Sequence, residues 1–202
     1  MLWATCHGNA FTCQSVGEYK SRHQYQPLNG HRRSVITAIE RISEEHIAGF
    51  HACLDAVARE QMHLGQTQAP PLERVAEFVR ANIQGNLPQY VALHGGRIVG
   101  WCDAIPHWAG ALSHRAGLGM GVLAAYRGKG IGTRLLSRTL EHARSIGVKR
   151  VDLEVRADNT AAIALYTSAG FKLEGRKSMG LFLGGQYHDT IEMGLIIEAS
   201  AA

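Results

Sequence analysis

The stretch Arg127-Gly128-Lys129-Gly130-Ile131-Gly132-Thr133 decides the fold, because it joins a predicted strand to the clearest helix of the chain. Glycines allow a backbone to come close to a ligand, and the start of a helix offers unpaired N–H groups at the positive end of its dipole. Such a segment is typical of an anion site, most naturally one for phosphates. Arg127 or Lys129 would add positive charge to it.

The spacing of the glycines excludes two common phosphate loops. A Walker loop needs Gly-Lys followed by Ser or Thr, whereas Gly128-Lys129 is followed by Gly130. The dinucleotide fingerprint Gly-x-Gly-x-x-Gly fails as well, because the third glycine, Gly132, comes one residue too early. The pattern that remains is Arg-x-x-Gly-x-Gly, formed by Arg127, Gly130 and Gly132.

Hydrophobic periodicity around this loop predicts one α/β domain from residue 34 to 202. The order of elements is β-α-α-β-β-β-α-β-α-β-β, which implies a mixed sheet with helices on both faces. The predicted strands are 35–39, 90–93, 98–105, 116–123, 151–155, 171–179 and 190–197. The predicted helices are one capped by Ser43, then 72–83, 131–146 and 159–169. Residues 1–33 lack any sustained period and are predicted to be an extension outside this fold.

Composition narrows the class of protein. The chain is 46% hydrophobic and 19% charged, which is typical of a soluble globular domain, and its apolar runs are too short to cross a membrane. The pI near 9.0 comes mainly from residues 1–33, so the rest of the chain is close to neutral and a nucleic-acid surface is not expected. No secretory signal is apparent at the start.

The cysteines and histidines indicate no disulfide framework and no metal. Cys6, Cys13, Cys53 and Cys102 form no Cys-x-x-Cys pair, which suits a reducing cytoplasm. The 11 histidines show no ligand spacing, so we expect no metal site.

Two separated motifs together resemble the GNAT N-acetyltransferase superfamily. The first is the Arg127–Thr133 loop, and the second is Leu153-Glu154-Val155-Arg156-Ala157-Asp158-Asn159 followed by Ala164-Leu165-Tyr166 and Gly170-Phe171. The resemblance covers the core from Leu118 to Phe171, and the order of elements also matches the GNAT fold. It implies acetyl-coenzyme A as the acetyl donor and a primary amine as the acceptor.

The resemblance also implies which residues bind the donor. The end of the fourth strand would leave its neighbour and pair with the pantetheine arm, the glycine loop would hold the pyrophosphate, and Asn159 would hydrogen-bond the pantetheine or simply cap its helix. The implied cofactor-binding residues are Met120, Gly121, Val122, Arg127, Gly128, Lys129, Gly130, Ile131, Gly132, Thr133, Asn159 and Tyr166.

Two catalytic residues are implied. Tyr166 matches the tyrosine that protonates the departing thiolate, although it is also compatible with a core aromatic residue. Glu154 matches the base of the ribosomal-protein alanine acetyltransferase branch, and its strand alternates between an apolar and a charged face. A surface ion pair of Glu154 with Arg156 or Arg150 is the competing interpretation. Asp103 and His114 are weaker candidates for the base.

The resulting hypothesis is direct attack of a neutral amine on the thioester within a ternary complex, with the Val122 N–H at the carbonyl oxygen. The end of the chain resembles branches that act on free amino acids or small amines, and this acceptor class is preferred. Segment 153–171 resembles enzymes for protein N-termini instead. A non-catalytic domain that binds or senses acyl-CoA is the alternative from another class, and a homodimer is left open.

Overall fold

The computed structural model describes residues 37–197 and contains the expected order of elements. Its strands are β1 (Ala38–Arg41), β2 (Gln89–His94), β3 (Arg97–Pro106), β4 (Arg115–Val122), β5 (Arg150–Arg156), β6 (Lys172–Leu183) and β7 (Gln186–Ile196). Its α-helices are α1 (Ile47–Ala58), α2 (Leu72–Gln84), α3 (Ile131–Ser145) and α4 (Thr160–Ser168). The predicted extension over residues 1–33 lies outside the described residues, as do Val35 and Ile36 of the predicted first strand.

The seven strands form one mixed sheet in the order β1-β2-β3-β4-β5-β7-β6. Only β4 and β5 are parallel, and every other neighbouring pair among the described strands is antiparallel. Gly95 and Gly96 form the turn between β2 and β3, and both have positive φ, as the sequence predicts.

Helices cover both faces of the sheet, which confirms the layered arrangement. On β3, adjacent residues point to opposite faces. The Trp101 ring contacts Phe50 of α1 with centroids 5.7 Å apart. The space beside Gly100 is filled by Leu135 of α3, 3.3 Å from where a Cβ would lie. The face that bears Trp101 is called the open face below, because on β5 it carries half-exposed polar residues.

Several boundaries differ from the prediction, and two of the differences have a visible local cause. The helix expected directly after Ser43 begins with a 3₁₀ turn at Glu44–His46, where the Ser43 N–H donates to His46 Nδ1 at 3.1 Å. Strand β6 continues to Leu183, beyond its predicted end at Met179. A bulge causes the difference: Met179 has φ 55°, and the register with β7 shifts between Lys177 and Leu181. No helix in residues 37–197 is long and apolar enough to cross a bilayer.

Candidate active site

The glycine loop lies at the start of α3 and is open to solvent. Gly128 and Gly130 have φ angles of 69° and 73°, and nothing lies within 4 Å of a Cβ added to either. Ile131 is buried and anchors the first turn, whose first backbone bond runs from Arg134 N to Gly130 O at 3.2 Å. From Gly128 to Thr133, no backbone N–H donates to another described residue. This row of free donors fits a pyrophosphate.

A slot between β4 and β5 begins next to this loop. The two strands pair only from Arg115↔Arg150 to Gly117↔Asp152, although β4 continues to Val122 and β5 to Arg156. The backbone of Met120, Gly121 and Val122 therefore faces the slot on one side and pairs with β3 on the other. An extended polar chain can pair with β4 there in the way that a strand would.

The two cations of the loop are engaged within the protein. Arg127 donates from Nη2 to both oxygens of Glu60, at 2.9 and 2.6 Å, and from Nε to the Val122 carbonyl at 2.8 Å. Lys129 Nζ donates to the Ala125 carbonyl at 2.8 Å and lies 5.3 Å from the centre of the Tyr126 ring. The interpretation that either side chain points at the phosphates is therefore not supported, and the backbone is the main source of donors.

Asn159 caps helix α4, as its competing interpretation predicted. Its Oδ1 accepts from the Ala162 N–H at 3.2 Å, and its Nδ2 lies 3.2 Å from His63 Nδ1. Burial lowers the pKa of His63 below its ordinary value, which favours the neutral imidazole. His63 belongs to the segment between α1 and α2, which is also tied to β5 by a bond from Arg156 Nη1 to the Met62 carbonyl, at 3.0 Å. The segment thus spans the end of the slot.

Tyr166 lies in α4 on the face of the sheet that α3 covers. It is 8% exposed, and its ring contacts Phe171 with centroids 5.7 Å apart. It interacts electrostatically with Cys102 of β3, the residue that pairs with Met120 of β4. Burial raises the pKa of Tyr166 above its ordinary value, so the hydroxyl keeps its proton at neutral pH and can donate it.

Glu154 lies across the slot on β5, but neither predicted partner binds it. Its carboxylate accepts from Lys177 Nζ at 3.3 Å and from Thr190 Oγ1. Arg150 pairs instead with Asp152 and Glu174, and Arg156 pairs with Asp158. Sequence reasoning missed Lys177 and Thr190 because both belong to the final hairpin, whose register with β5 has no local signal.

The two weaker candidates for the base are far from equivalent. Asp103 is 6% exposed and lies on the open face, with Oδ1 2.9 Å from where a Cβ of Gly119 would be. Burial raises its pKa from 3.8 to about 7. His114 is exposed and precedes β4, at the end where β4 and β5 still pair, and so lies away from the slot.

Three further features bear on ligands and reactivity: metal-binding groups, a groove and the cysteines. Within residues 37–197, no group of three or more His, Cys, Asp or Glu side chains is placed to hold a metal ion. A groove of about 230 Å³ runs between α3 and α4, continuous with the glycine loop through Thr133. Both cysteines in the described part of the chain are buried, and burial raises the pKa of Cys53 to about 12.

Comparisons with known proteins agree with this geometry. The model of the Acetyltransferase (GNAT) family matches residues 51–171. N-alpha-acetyltransferase RimI of Mycobacterium tuberculosis is 57% identical over 56 residues, which is 28% of this chain and 34% of that relative. L-amino acid N-acetyltransferase AaaT of Escherichia coli is 28% identical over 146 residues, covering 71% of this chain and 90% of the relative.

Among solved structures, yncA from Salmonella typhimurium, determined with acetyl-CoA, superimposes with a TM-score of 0.76 at 20% identity. The match covers 82% of this chain and 96% of that one, and it shows that the fold is shared. The family model covers more than half of the chain, from α1 to the start of the final hairpin. The chain belongs to the GNAT acetyltransferase family.

Proposed function

We propose that the protein transfers an acetyl group from acetyl-CoA to a primary amine. The observation that carries this proposal is the row of unpaired backbone N–H groups from Gly128 to Thr133, directly beside the slot between β4 and β5. The loop offers donors for a pyrophosphate, and the slot offers strand-like pairing for the pantetheine arm at Met120, Gly121 and Val122.

Transfer is proposed to occur by direct attack of the amine on the thioester. The amine approaches from the open face, and Tyr166 lies on the opposite face, where it donates a proton to the departing thiolate. The Val122 N–H is the proposed donor to the carbonyl oxygen. A carboxylate of the open face accepts the proton of the amine, and Glu154 is the candidate that the sequence indicates. The two buried cysteines carry no step.

A free amino acid or another small amine is the proposed acceptor. The similarity to AaaT supports this, because it extends over 71% of this chain and 90% of that relative. A protein N-terminus is the second candidate, favoured by the 57% identity to RimI over 56 residues. That match covers only a third of the RimI chain, so we give it less weight.

The experiment that tests the function is incubation with acetyl-CoA and a panel of amines, with release of free thiol followed over time. Amino acids, their amides, small diamines and peptides with a free N-terminus make up the panel. Thiol release that depends on an amine supports transfer. Saturable acetyl-CoA binding without any amine-dependent release would support an acyl-CoA sensor instead. The buried thiols fit a reducing cytoplasm, which is the proposed location.

A further inference from the structure

The charged residues of the open face are almost completely paired with one another. Arg115, Arg150, Arg156 and Lys177 on this face each have at least one carboxylate partner. The pairs are Arg115–Asp152 at 2.8 Å, Arg150–Asp152 at 2.6 Å, Arg150–Glu174, Arg156–Asp158, Lys177–Glu154 at 3.3 Å and Lys177–Glu192 at 2.5 Å. One carboxylate of the same face stands apart from this network, that of Asp103.

Asp103 makes no hydrogen bond and no ion pair with another residue in the range 37–197, although it is 94% buried. Such an uncompensated carboxylate is costly to the fold, since burial favours its neutral form. The protein keeps it at a place where β4 consists of alternating glycines, Gly117, Gly119 and Gly121, on the open face. This arrangement calls for an explanation other than stability.

The glycines make room for two side chains of β3 above β4. Trp101 lies over Gly121, where an added Cβ would come within 2.3 Å of the ring. The Asp103 carboxylate lies over Gly119, 2.9 Å from the corresponding position. Asp103 therefore lies opposite Gly119, the residue before Met120 on β4. This is the edge of the slot where the thioester would be held. It is also the side from which the proposed amine approaches.

We propose that Asp103 is the counter-ion of the acceptor's ammonium group and removes its proton before attack. The inference rests on the proposed acetyl transfer. An ammonium ion would supply the positive charge that no residue in the range 37–197 provides next to this carboxylate. The raised pKa supports the role, since a base works best when its pKa is near the operating pH.

Asp103 and Tyr166 each take one of the two protons that the ammonium nitrogen loses. One proton of the ammonium group passes to an Asp103 oxygen, and the freed lone pair forms the C–N bond to the thioester carbon. The C–S bond breaks, and the thiolate takes the proton of the Tyr166 hydroxyl. The second proton lost by the nitrogen restores Tyr166, and Asp103 releases its proton to water. The products are the acetylated amine, free coenzyme A thiol and one proton.

Glu154 is the competing candidate for the base, but unlike Asp103 it is already bound by other side chains. Its carboxylate already binds Lys177 and Thr190, so an approaching ammonium would have to displace a cation. Asp103 offers both oxygens. The two carboxylates lie on opposite sides of the slot, on β3 and β5, and can be exchanged independently.

The test compares Asp103→Asn with Glu154→Gln and with Asp152→Asn as the matched control. Asp152 lies on the same face but is bound by Arg115 and Arg150, so its amide variant should keep activity within a few-fold. Asp103→Asn should lower kcat/KM for the acceptor by about 10²–10⁴-fold, the range of a positioned base. Its affinity for acetyl-CoA, measured by thermal shift, should stay unchanged.

The pH profile gives a second readout. The parent's kcat/KM should rise through pH about 7, and Asp103→Asn should lose this rise. The charged residues that share the open face with Asp103 include Arg115, Arg150, Asp152, Glu154, Arg156, Lys177 and Glu192. The segment between α1 and α2 adds Glu60 and His63. Of these, His63 has a lowered pKa and should titrate at lower pH. Gly119→Ala, which would push the carboxylate aside, should reproduce the loss if Asp103→Asn fails to fold.

An Asp103→Asn enzyme that acetylates the amine within a few-fold of the parent would overturn the proposal. A larger loss in Glu154→Gln than in Asp103→Asn would do so as well. Failure of the parent to acetylate any amine would instead refute the proposed function, so the two failures are distinguishable.

Discussion

Arg127 and Glu60 form a two-point ion pair between residues that are 67 positions apart, with Nη2 2.9 and 2.6 Å from the two carboxylate oxygens. The same guanidinium donates from Nε to the Val122 carbonyl at the end of β4. Arg127 thus joins the segment that follows α1 to the end of β4. Its role in this geometry is to shape the site, since its charge is neutralised by Glu60.

Replacement of Arg127 by Lys should therefore weaken acetyl-CoA binding about as much as replacement by Ala. Lysine keeps the charge but lacks the planar fork that serves Glu60 and Val122 together. We expect both variants to lose affinity by a similar factor in isothermal titration. If Arg127→Lys bound like the parent while Arg127→Ala did not, the charge itself would be the contribution, and the shaping role would be wrong.

Gly130→Ala should greatly reduce acetyl-CoA binding, and Gly95→Ala should not. Both glycines have positive φ, 73° and 61°, and both have free space around an added Cβ. The strain of a left-handed residue, about 1–2 kcal/mol, is therefore common to both variants. In the parent, acetyl-CoA at 100 times its Kd should add about 2.7 kcal/mol to the free energy of unfolding. Thermal shifts measure this gain.

Equal acetyl-CoA-induced thermal shifts in the two glycine variants would show that the loop does not bind acetyl-CoA. In neither variant does the added Cβ clash with another atom of the protein, so the backbone strain is the same in both. Any specific effect must come from a ligand that approaches the loop closely.

Tyr166→Phe should lower kcat by about 10²–10⁴-fold, because the thiolate loses its proton donor. The ring and its contact with Phe171 remain, so acetyl-CoA affinity should hardly change. A purely structural tyrosine would show another pattern, a loss of about 0.5–1.5 kcal/mol in stability with kcat preserved. Steady-state kinetics and urea unfolding of the same variant separate the two.

Asp103 should also make stability depend on pH. Its folded pKa, about 7, lies above the ordinary 3.8, so the folded state holds the proton more tightly than the unfolded chain. The stability that this proton contributes to the folded state is fully present below about pH 4 and is lost as the pH rises through about 7. Asp103→Asn removes this dependence and should therefore gain stability, relative to the parent, between pH 4 and pH 8.

Urea unfolding of parent and variant at both pH values measures that difference, in the absence of acetyl-CoA. A difference that stays constant with pH would mean that Asp103 is not held in an environment unfavourable to its charge.

The local parts of the site could be predicted from the sequence. The glycine loop and the start of α3 follow from glycine spacing and from the period of the helix, and both faces of β5 follow from the alternation of Val151 to Arg156. These features depend on neighbours in the chain, where residue type and conformation are directly linked.

The contacts that decide the roles of the side chains could not be predicted. Glu60 pairs with Arg127 and Lys177 pairs with Glu154, but these partners are 67 and 23 positions apart in the sequence. Hydrophobic periodicity gives no information on such distant pairs. The lack of an ion-pair partner for Asp103 within residues 37–197 depends on all of its neighbours at once, and no single motif contains it. The bulge at Met179 was missed for a related reason, because a non-glycine residue gives little warning of a positive φ.

The most direct test of the central claim is mass-spectrometric detection of acetylated amine after incubation of the protein with acetyl-CoA and the amine panel. We predict one acetyl group per acceptor, formed in step with free thiol and greatly reduced, together with acetyl-CoA binding, in Gly130→Ala. An unacetylated panel, in the presence of bound acetyl-CoA, would contradict the assignment of this protein as an N-acetyltransferase.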